Sequence, residues 1–250
     1  MRPVITLLTD FGTADGYVGE MKGVLLTRVP EATLVDITHD IQPQDVEAGR
    51  LTLARVWRRF PPGTVHLVVI DPGVGTERGA LAVRSDERLL VGPDNGVLSP
   101  ALLVAGSCAV ELETPPNAST TFHGRDVFAP AAAALALGKP LDALGAVMSR
   151  PVIRRTPEPR RIGDGVLAGV VISIDRFGNA ITNLIGLRAG VVEVAGVALA
   201  VRKTYGDVVT GSPLALVGSS GFIEVAVRDG SAARELSLTR GSAVVFRATP

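Results

Sequence analysis

Cysteine is almost missing from this chain: Cys108 stands alone among 250 residues. A single thiol excludes a disulfide framework and a cysteine-built metal site. Its place in the apolar stretch Ala101 to Val110 marks it as a core filler. Net charge is missing too, because 25 Lys and Arg balance 25 Asp and Glu. No overall field therefore gathers nucleic acid or an anionic membrane. The local cluster Arg154, Arg155, Arg160 and Arg161 is interleaved with prolines and Glu158, the pattern of a solvated linker. No stretch nears the ~20 apolar residues that span a bilayer. The run Val4 to Leu8 is too short for a signal peptide, so a cytoplasmic protein is expected. Histidines number three. His39 with Asp40, and His123 far along the chain, do not form a ligand cluster, while His66 lies inside a strand pattern; no metal is expected. Gly73 to Gly75 lacks both the Gly-Lys-Ser/Thr ending and the Gly-x-Gly-x-x-Gly spacing of nucleotide loops. A Gly-x-Ser-x-Gly nucleophile elbow is absent as well.

What is present suffices for a real core: 46% of residues are hydrophobic and 20% charged. Residues 1–150 alternate strand-like and helix-like segments. Strands are expected at Val4–Thr9, Thr33–Ile37, Val65–Ile70 and Leu89–Val91, with helices at Asp15–Arg28, Val46–Phe60 and Val127–Leu137. The β-branched run Val65–Ile70 has the pattern of a strand buried on both faces. Such alternation implies an α/β domain with a mostly parallel sheet. Residues 151–163 turn to Pro and Arg and are taken as a linker. From 164 to 250 short β-rich runs are punctuated by glycines, which implies a smaller all-β domain, a barrel or a sandwich.

In α/β sheets, ligands gather beyond the carboxyl ends of the strands. Three polar loops fall there. Asp10 and Phe11 follow the first strand; Asp71, Pro72 and Gly73 follow the buried run; Asp94 and Asn95 follow Leu89–Val91. Each also suits an ordinary turn or a helix cap, and Asp94-Asn95-Gly96 in particular suits a hairpin turn. His123, just before an Ala-rich helix, is a catalytic candidate or a packed cap.

Their joint order is more specific than any one of them. Thr9-Asp10-Phe11-Gly12, Asp36-Ile37-Thr38-His39, Asp71-Pro72-Gly73-Val74-Gly75-Thr76 with Arg78, Gly92-Pro93-Asp94-Asn95-Gly96 and Phe122-His123-Gly124-Arg125-Asp126 together resemble the S-adenosylmethionine hydroxide adenosyltransferase family, relatives of the fluorinase and chlorinase. Ile174-Asp175-Arg176-Phe177-Gly178-Asn179 and Ser219 to Val227 extend the likeness over nearly the whole chain. The resemblance implies hydrolysis of S-adenosylmethionine to adenosine and methionine without a cofactor. It also implies a C-terminal β-barrel and a homotrimer with active sites between subunits. The catalytic set it implies falls on Asp71, Arg78 and His123. Asp10 would hold the ribose hydroxyls, with Phe11, Pro72, Gly73, Asp94, Asn95 and Gly124 also at the substrate. Asp175, Phe177, Asn179, Ser219, Ser220, Glu224 and Val227 would contact it from the second domain.

The reaction needs little acid catalysis, because a sulfonium leaves as a neutral thioether. It needs one water held in line, and positioning of that kind is worth ~7–11 kcal/mol in favourable cases. A carboxylate at Asp71 suits water and repels halide, and Gly124 differs from the small hydroxyl residue expected of a halide pocket. Hydrolysis is therefore favoured over halide transfer; the remaining alternative is a binding protein without turnover.

Overall fold

The computed structural model describes residues 2–249 and divides into two compact units, one up to Arg155 and one from Thr156 onward. The first contains β1 (Val4–Thr9), α1 (Tyr17–Arg28), β2 (Thr33–Thr38), α2 (Val46–Val56), β3 (Val65–Val69), β4 (Ala80–Ser85), β5 (Arg88–Pro93), α3 (Ser99–Leu102), β6 (Cys108–Leu112), α4 (Ala129–Ala136) and β7 (Gly145–Val147). Its single sheet runs β2-β1-β3-β5-β4-β6-β7.

The half β2-β1-β3-β5 is parallel, as the strand–helix alternation implies. Beyond β5 the sheet turns antiparallel. The reversal is local in origin. Asp86 and Glu87 join β4 to β5 as a two-residue turn with φ of 51° and 60°, the left-handed pair that matches strand twist.

Strand β3 shows why its sequence is apolar throughout. Val65, Leu67 and Val69 enter one core with Met21, Leu25 and Ala132, while Val68 and the following Ile70 enter a second with Leu53 and Trp57. Both faces are covered, so alternation is lost and the strand end is held rigidly just before Asp71.

The second unit contains β8 (Arg160–Gly163), β9 (Val166–Ile174), β10 (Ala180–Ile185), β11 (Val191–Val194), β12 (Val197–Arg202), β13 (Pro213–Val217), β14 (Phe222–Val227), α5 (Ala232–Glu235) and β15 (Ala243–Arg247). The order β10-β14-β13-β12-β11-β15-β9 closes through a β9–β10 pairing. The β-rich half is thus a closed barrel rather than a sandwich.

Four sequence expectations change. Residues 160–163, read as linker, form β8 and pair with β9. Residues 151–155 are instead tied to the first unit, where Val152 N donates to Asp94 Oδ1 at 2.7 Å and Arg154 N to Ser99 Oγ at 2.8 Å. Asp94-Asn95-Gly96 leads into α3 and joins no hairpin. Cys108 opens β6 half-buried rather than filling the core. Among the described residues no helix is long and apolar enough to cross a membrane.

Candidate active site

The loop after β3 places Asp71 and Arg78 face to face. Arg78 Nε donates to Asp71 Oδ1 at 2.8 Å, and Nη2 donates to Asp71 Oδ2 in a very short contact, a bidentate fork. The same Nη2 meets His123 Nδ1 at 2.9 Å. The side chains of Asp71 and Arg78 are 5% and 10% exposed, and His123 is buried as well. Phe128 closes one side, with the guanidinium carbon 5.2 Å from its ring centroid.

The loop's own chemistry sets this geometry. Val74 N returns to Asp71 O at 3.3 Å, and the Thr76 hydroxyl donates to Gly73 O at 2.7 Å. Gly75 has φ +76°, and a Cβ there would stand 2.2 Å from Thr120 O, so only glycine lets the loop meet the segment that leads to His123. Asn95 Nδ2 donates to Ile70 O at 2.8 Å and thereby braces the residue before Asp71. Asp94 is held by Val152 N, and burial pushes its carboxyl above the usual range.

His123 precedes a single π-turn, Gly124–Phe128, in which Ala129 N reaches Gly124 O. Such turns carry an extra residue within a helix and often accompany functional sites. Asp126 secures it by accepting Ser119 N at 2.8 Å and Arg125 Nε at 2.7 Å. A Cβ at Gly124 would lie 3.0 Å from Phe122 Cε2 and 3.1 Å from Met21 Sδ. Packing alone therefore favours glycine there, apart from any halide argument. Phe11, Tyr17 and Phe122 form an aromatic trio with centroids 5.2–5.8 Å apart.

Polarity fixes the protons. Guanidinium only donates, so Nδ1 of His123 accepts and the neutral ring carries its proton on Nε2. Burial, then the Arg78 charge, hold His123 below its ordinary value. Asp10 receives Gln44 N at 2.6 Å, while burial, and more weakly the facing Asp71, raise its carboxyl. Among the described residues no three His, Cys, Asp or Glu side chains gather as a metal would require.

The second unit carries a separate polar cluster. Asp175 Oδ1 accepts Phe177 N at 2.9 Å and Asn179 N at 2.8 Å, and Asn179 Nδ2 returns to Asp175 Oδ2 at 3.0 Å. This turn leaves the Phe177 ring 76% exposed. The Tyr205 hydroxyl lies 3.4 Å from Asn179 Nδ2 and 3.5 Å from Glu224 Oε2. Burial and the facing Glu224 raise its pKa above the ordinary phenol value. Ser219 and Ser220 sit in the tight turn between β13 and β14, which Gly221 N closes on Gly218 O at 2.9 Å. The Val227 side chain, by contrast, lies in the barrel core at 4% exposure. Sequence reasoning missed Tyr205 and Tyr17; the chain has only these two tyrosines, and that scarcity was the one available signal.

Comparison with known proteins places the chain among its relatives. The SAM hydroxide adenosyltransferase N-terminal domain matches residues 5–145 and the C-terminal domain residues 169–245. The (R)-S-adenosyl-L-methionine hydrolase of Thermus thermophilus is 43% identical, over 98% of this chain and 99% of its own. A fluorinase of an Actinoplanes species is 31% identical over 73% of this chain and 72% of its own. A crystal structure of an uncharacterised conserved protein from Thermotoga maritima superposes with a TM-score of 0.88 at 35% identity, covering 97% of this chain and 99% of that one. With both domain families matched across most of its length, the chain belongs to the SAM hydroxide adenosyltransferase family.

Proposed function

We propose that this protein is an enzyme that hydrolyses S-adenosyl-L-methionine to adenosine and L-methionine. Water attacks ribose C5′, the C5′–O bond forms as the C5′–S bond breaks, and the sulfonium keeps the bonding pair as a neutral thioether. One water proton stays on the new 5′-hydroxyl and the other is taken by the enzyme. The observation that carries this reading is Arg78 joining Asp71 to His123 in a buried site.

That bonding pattern also divides the labour. Nδ1 of His123 is occupied by Arg78, so its Nε2–H donates to the water oxygen and aims a lone pair at C5′. Asp71 keeps lone pairs beyond the two engaged by Arg78, and these take the proton. Its charge also faces the developing site of a cationic substrate and disfavours halide. Asp10 holds the ribose hydroxyls, with Phe11, Pro72, Gly73, Asp94, Asn95 and Gly124 around the adenosyl group. Asp175, Phe177, Asn179, Ser219, Ser220 and Glu224 bind from the second unit. The enzyme works without a cofactor as a cytoplasmic homotrimer with sites shared between subunits, and its partner is the small substrate alone.

The test is product analysis after incubation with S-adenosylmethionine in halide-free buffer containing a chelator and 18O-labelled water. The trimer, three times 25.9 kDa by sedimentation, should release adenosine carrying the label at the 5′-oxygen and an equal amount of methionine. Substrate bound but unconverted would make the chain a binding protein. A 5′-halo-5′-deoxyadenosine formed only with added halide would make it a halide transferase.

A further inference from the structure

Behind the loop that carries Asp10 runs a chain of polar contacts, exposed at Lys22 and Asp36 and buried at His39 and Thr9, that the reaction above does not use. Lys22 Nζ reaches Asp36 Oδ2 at 2.6 Å; Asp36 Oδ1 lies 3.1 Å from His39 Nε2; His39 Nδ1 meets Thr9 Oγ1 at 2.8 Å; and Phe11 N reaches the same hydroxyl at 3.3 Å. His39 also accepts Gly12 N on its backbone oxygen at 2.8 Å. Thr9 is fully buried and His39 nearly so.

Phe11 N–H and Lys22 NH3⁺ only donate, and the Asp36 carboxylate only accepts. A neutral His39 ring with its proton on Nε2, toward Asp36, accepts the Thr9 hydroxyl proton on Nδ1, while the Thr9 oxygen receives Phe11 N–H. The order Asp36–His39–Thr9 has the composition of a nucleophilic triad. It does not act as one, because the Thr9 oxygen is inaccessible and its proton is committed to His39. What the chain does reach is the backbone of residues 9–12, pinned at Thr9 and Phe11 through the hydroxyl and at Gly12 through the His39 carbonyl. Asp10 sits between those pins, against the facing Asp71.

We infer that His39 is a positioning residue: through the Thr9 hydroxyl it fixes the loop that presents Asp10 to the substrate. The inference rests on the hydrolase reading above. Positioning groups act through small displacements, and an offset of about 1 Å can cost up to ~100-fold in rate or binding.

Three variants separate positioning from bulk packing. His39→Phe keeps ring volume and removes the hydrogen bond to Thr9 and the contact with Asp36. His39→Asn places an amide oxygen where Nδ1 was, toward Thr9. His39→Gln reaches toward Asp36 instead. Measured per folded molecule, with folding checked by circular dichroism, His39→Phe should raise KM for S-adenosylmethionine about tenfold with kcat changed less than about threefold. His39→Asn should recover most of that rise and His39→Gln should not. Thr9→Val, which keeps shape and removes the hydroxyl, should reproduce the His39→Phe effect, and it carries the comparison if His39→Phe fails to fold. Equal KM in His39→Asn and His39→Phe, or wild-type KM throughout, overturns the inference. A wild-type protein that does not turn over breaks the hydrolase reading instead, and calorimetric adenosine affinity across the same variants then decides the role of His39.

Discussion

The two units handle polar groups in opposite ways. In the first, the candidate catalytic charges are buried and paired: Arg78 spends its fork on Asp71 and its remaining Nη2 proton on His123, against the Phe128 ring. In the second, Asp175 binds its own loop backbone, and Tyr205 stands at 3.4–3.5 Å from Asn179 and Glu224, longer contacts that leave room for adjustment. A rigid, pre-paired set suits a reaction in which one water must be aimed. Longer, adaptable contacts suit recognition of a flexible ligand. The Asp71–Arg78–His123 set is thereby the place where kcat should be set, and the second unit's polar cluster a place where KM should be set.

The comparison breaks most sharply at Asp71. Asp71→Asn keeps the side-chain shape and removes the proton acceptor, and kcat should fall by about 10²–10⁴-fold with KM little changed. Single-turnover measurement would show it, and an unchanged chemical step would remove Asp71 from the mechanism. Arg78→Ala is a poorer probe, since leaving Asp71 buried without its partner costs roughly 3–5 kcal/mol of folding stability. In the second unit, Tyr205→Phe and Glu224→Gln should raise KM about three- to tenfold while kcat holds, because groups bound equally in ground and transition states act on KM alone. A fall in kcat with constant KM would place them in the chemistry instead.

A separate effect, on stability rather than on turnover, concerns acid. His66 is fully buried on β3, and burial, with help from Arg88, lowers its pKa from 6.5 to about 4. The unfolded chain takes up a proton near pH 6.5 that the folded chain refuses until about pH 4, so stability drains as pH falls across that window. The loss is on the order of 3 kcal/mol when complete. His66→Gln should flatten the dependence of urea midpoint on pH in that range. Hydrogen exchange should show the first unit loosening before the barrel; equal loosening of both would remove the contrast.

Long segments with clear periodicity were legible from sequence. Val4–Thr9 occurs with the bounds expected of it, and the short β-rich runs expected after residue 164 occur as strands, Val166–Ile174 and Ala243–Arg247 among them. The strand Ala80–Ser85 was not, because its pairing depends on a left-handed turn at Asp86 and Glu87 that lacks the glycine by which such turns are read, although Asp tolerates that conformation. Strand Ala180–Ile185 was masked by its buried polar Thr182 and Asn183, whose partners are distant in sequence. Likewise Asp71, Arg78 and His123 were named from ordered loops, but their order of bonding was invisible. It depends on a 45-residue separation between Arg78 and His123 that only the folded sheet spans. Tyr205 and the Thr9–His39–Asp36 chain stayed hidden for the same reason. A residue's partners across a fold leave no trace in its neighbours along the chain.

Gly75 has a consequence for how such a site changes over time. Because its Cα abuts the carbonyl of Thr120, the loop bearing Asp71 and Arg78 and the segment bearing His123 are interlocked and function as one mechanical part. Lengthening or recolouring either alone would collide with the other. An engineer who wants a new nucleophile in this scaffold has to exchange residues 71–79 and 119–124 together, as a matched cassette.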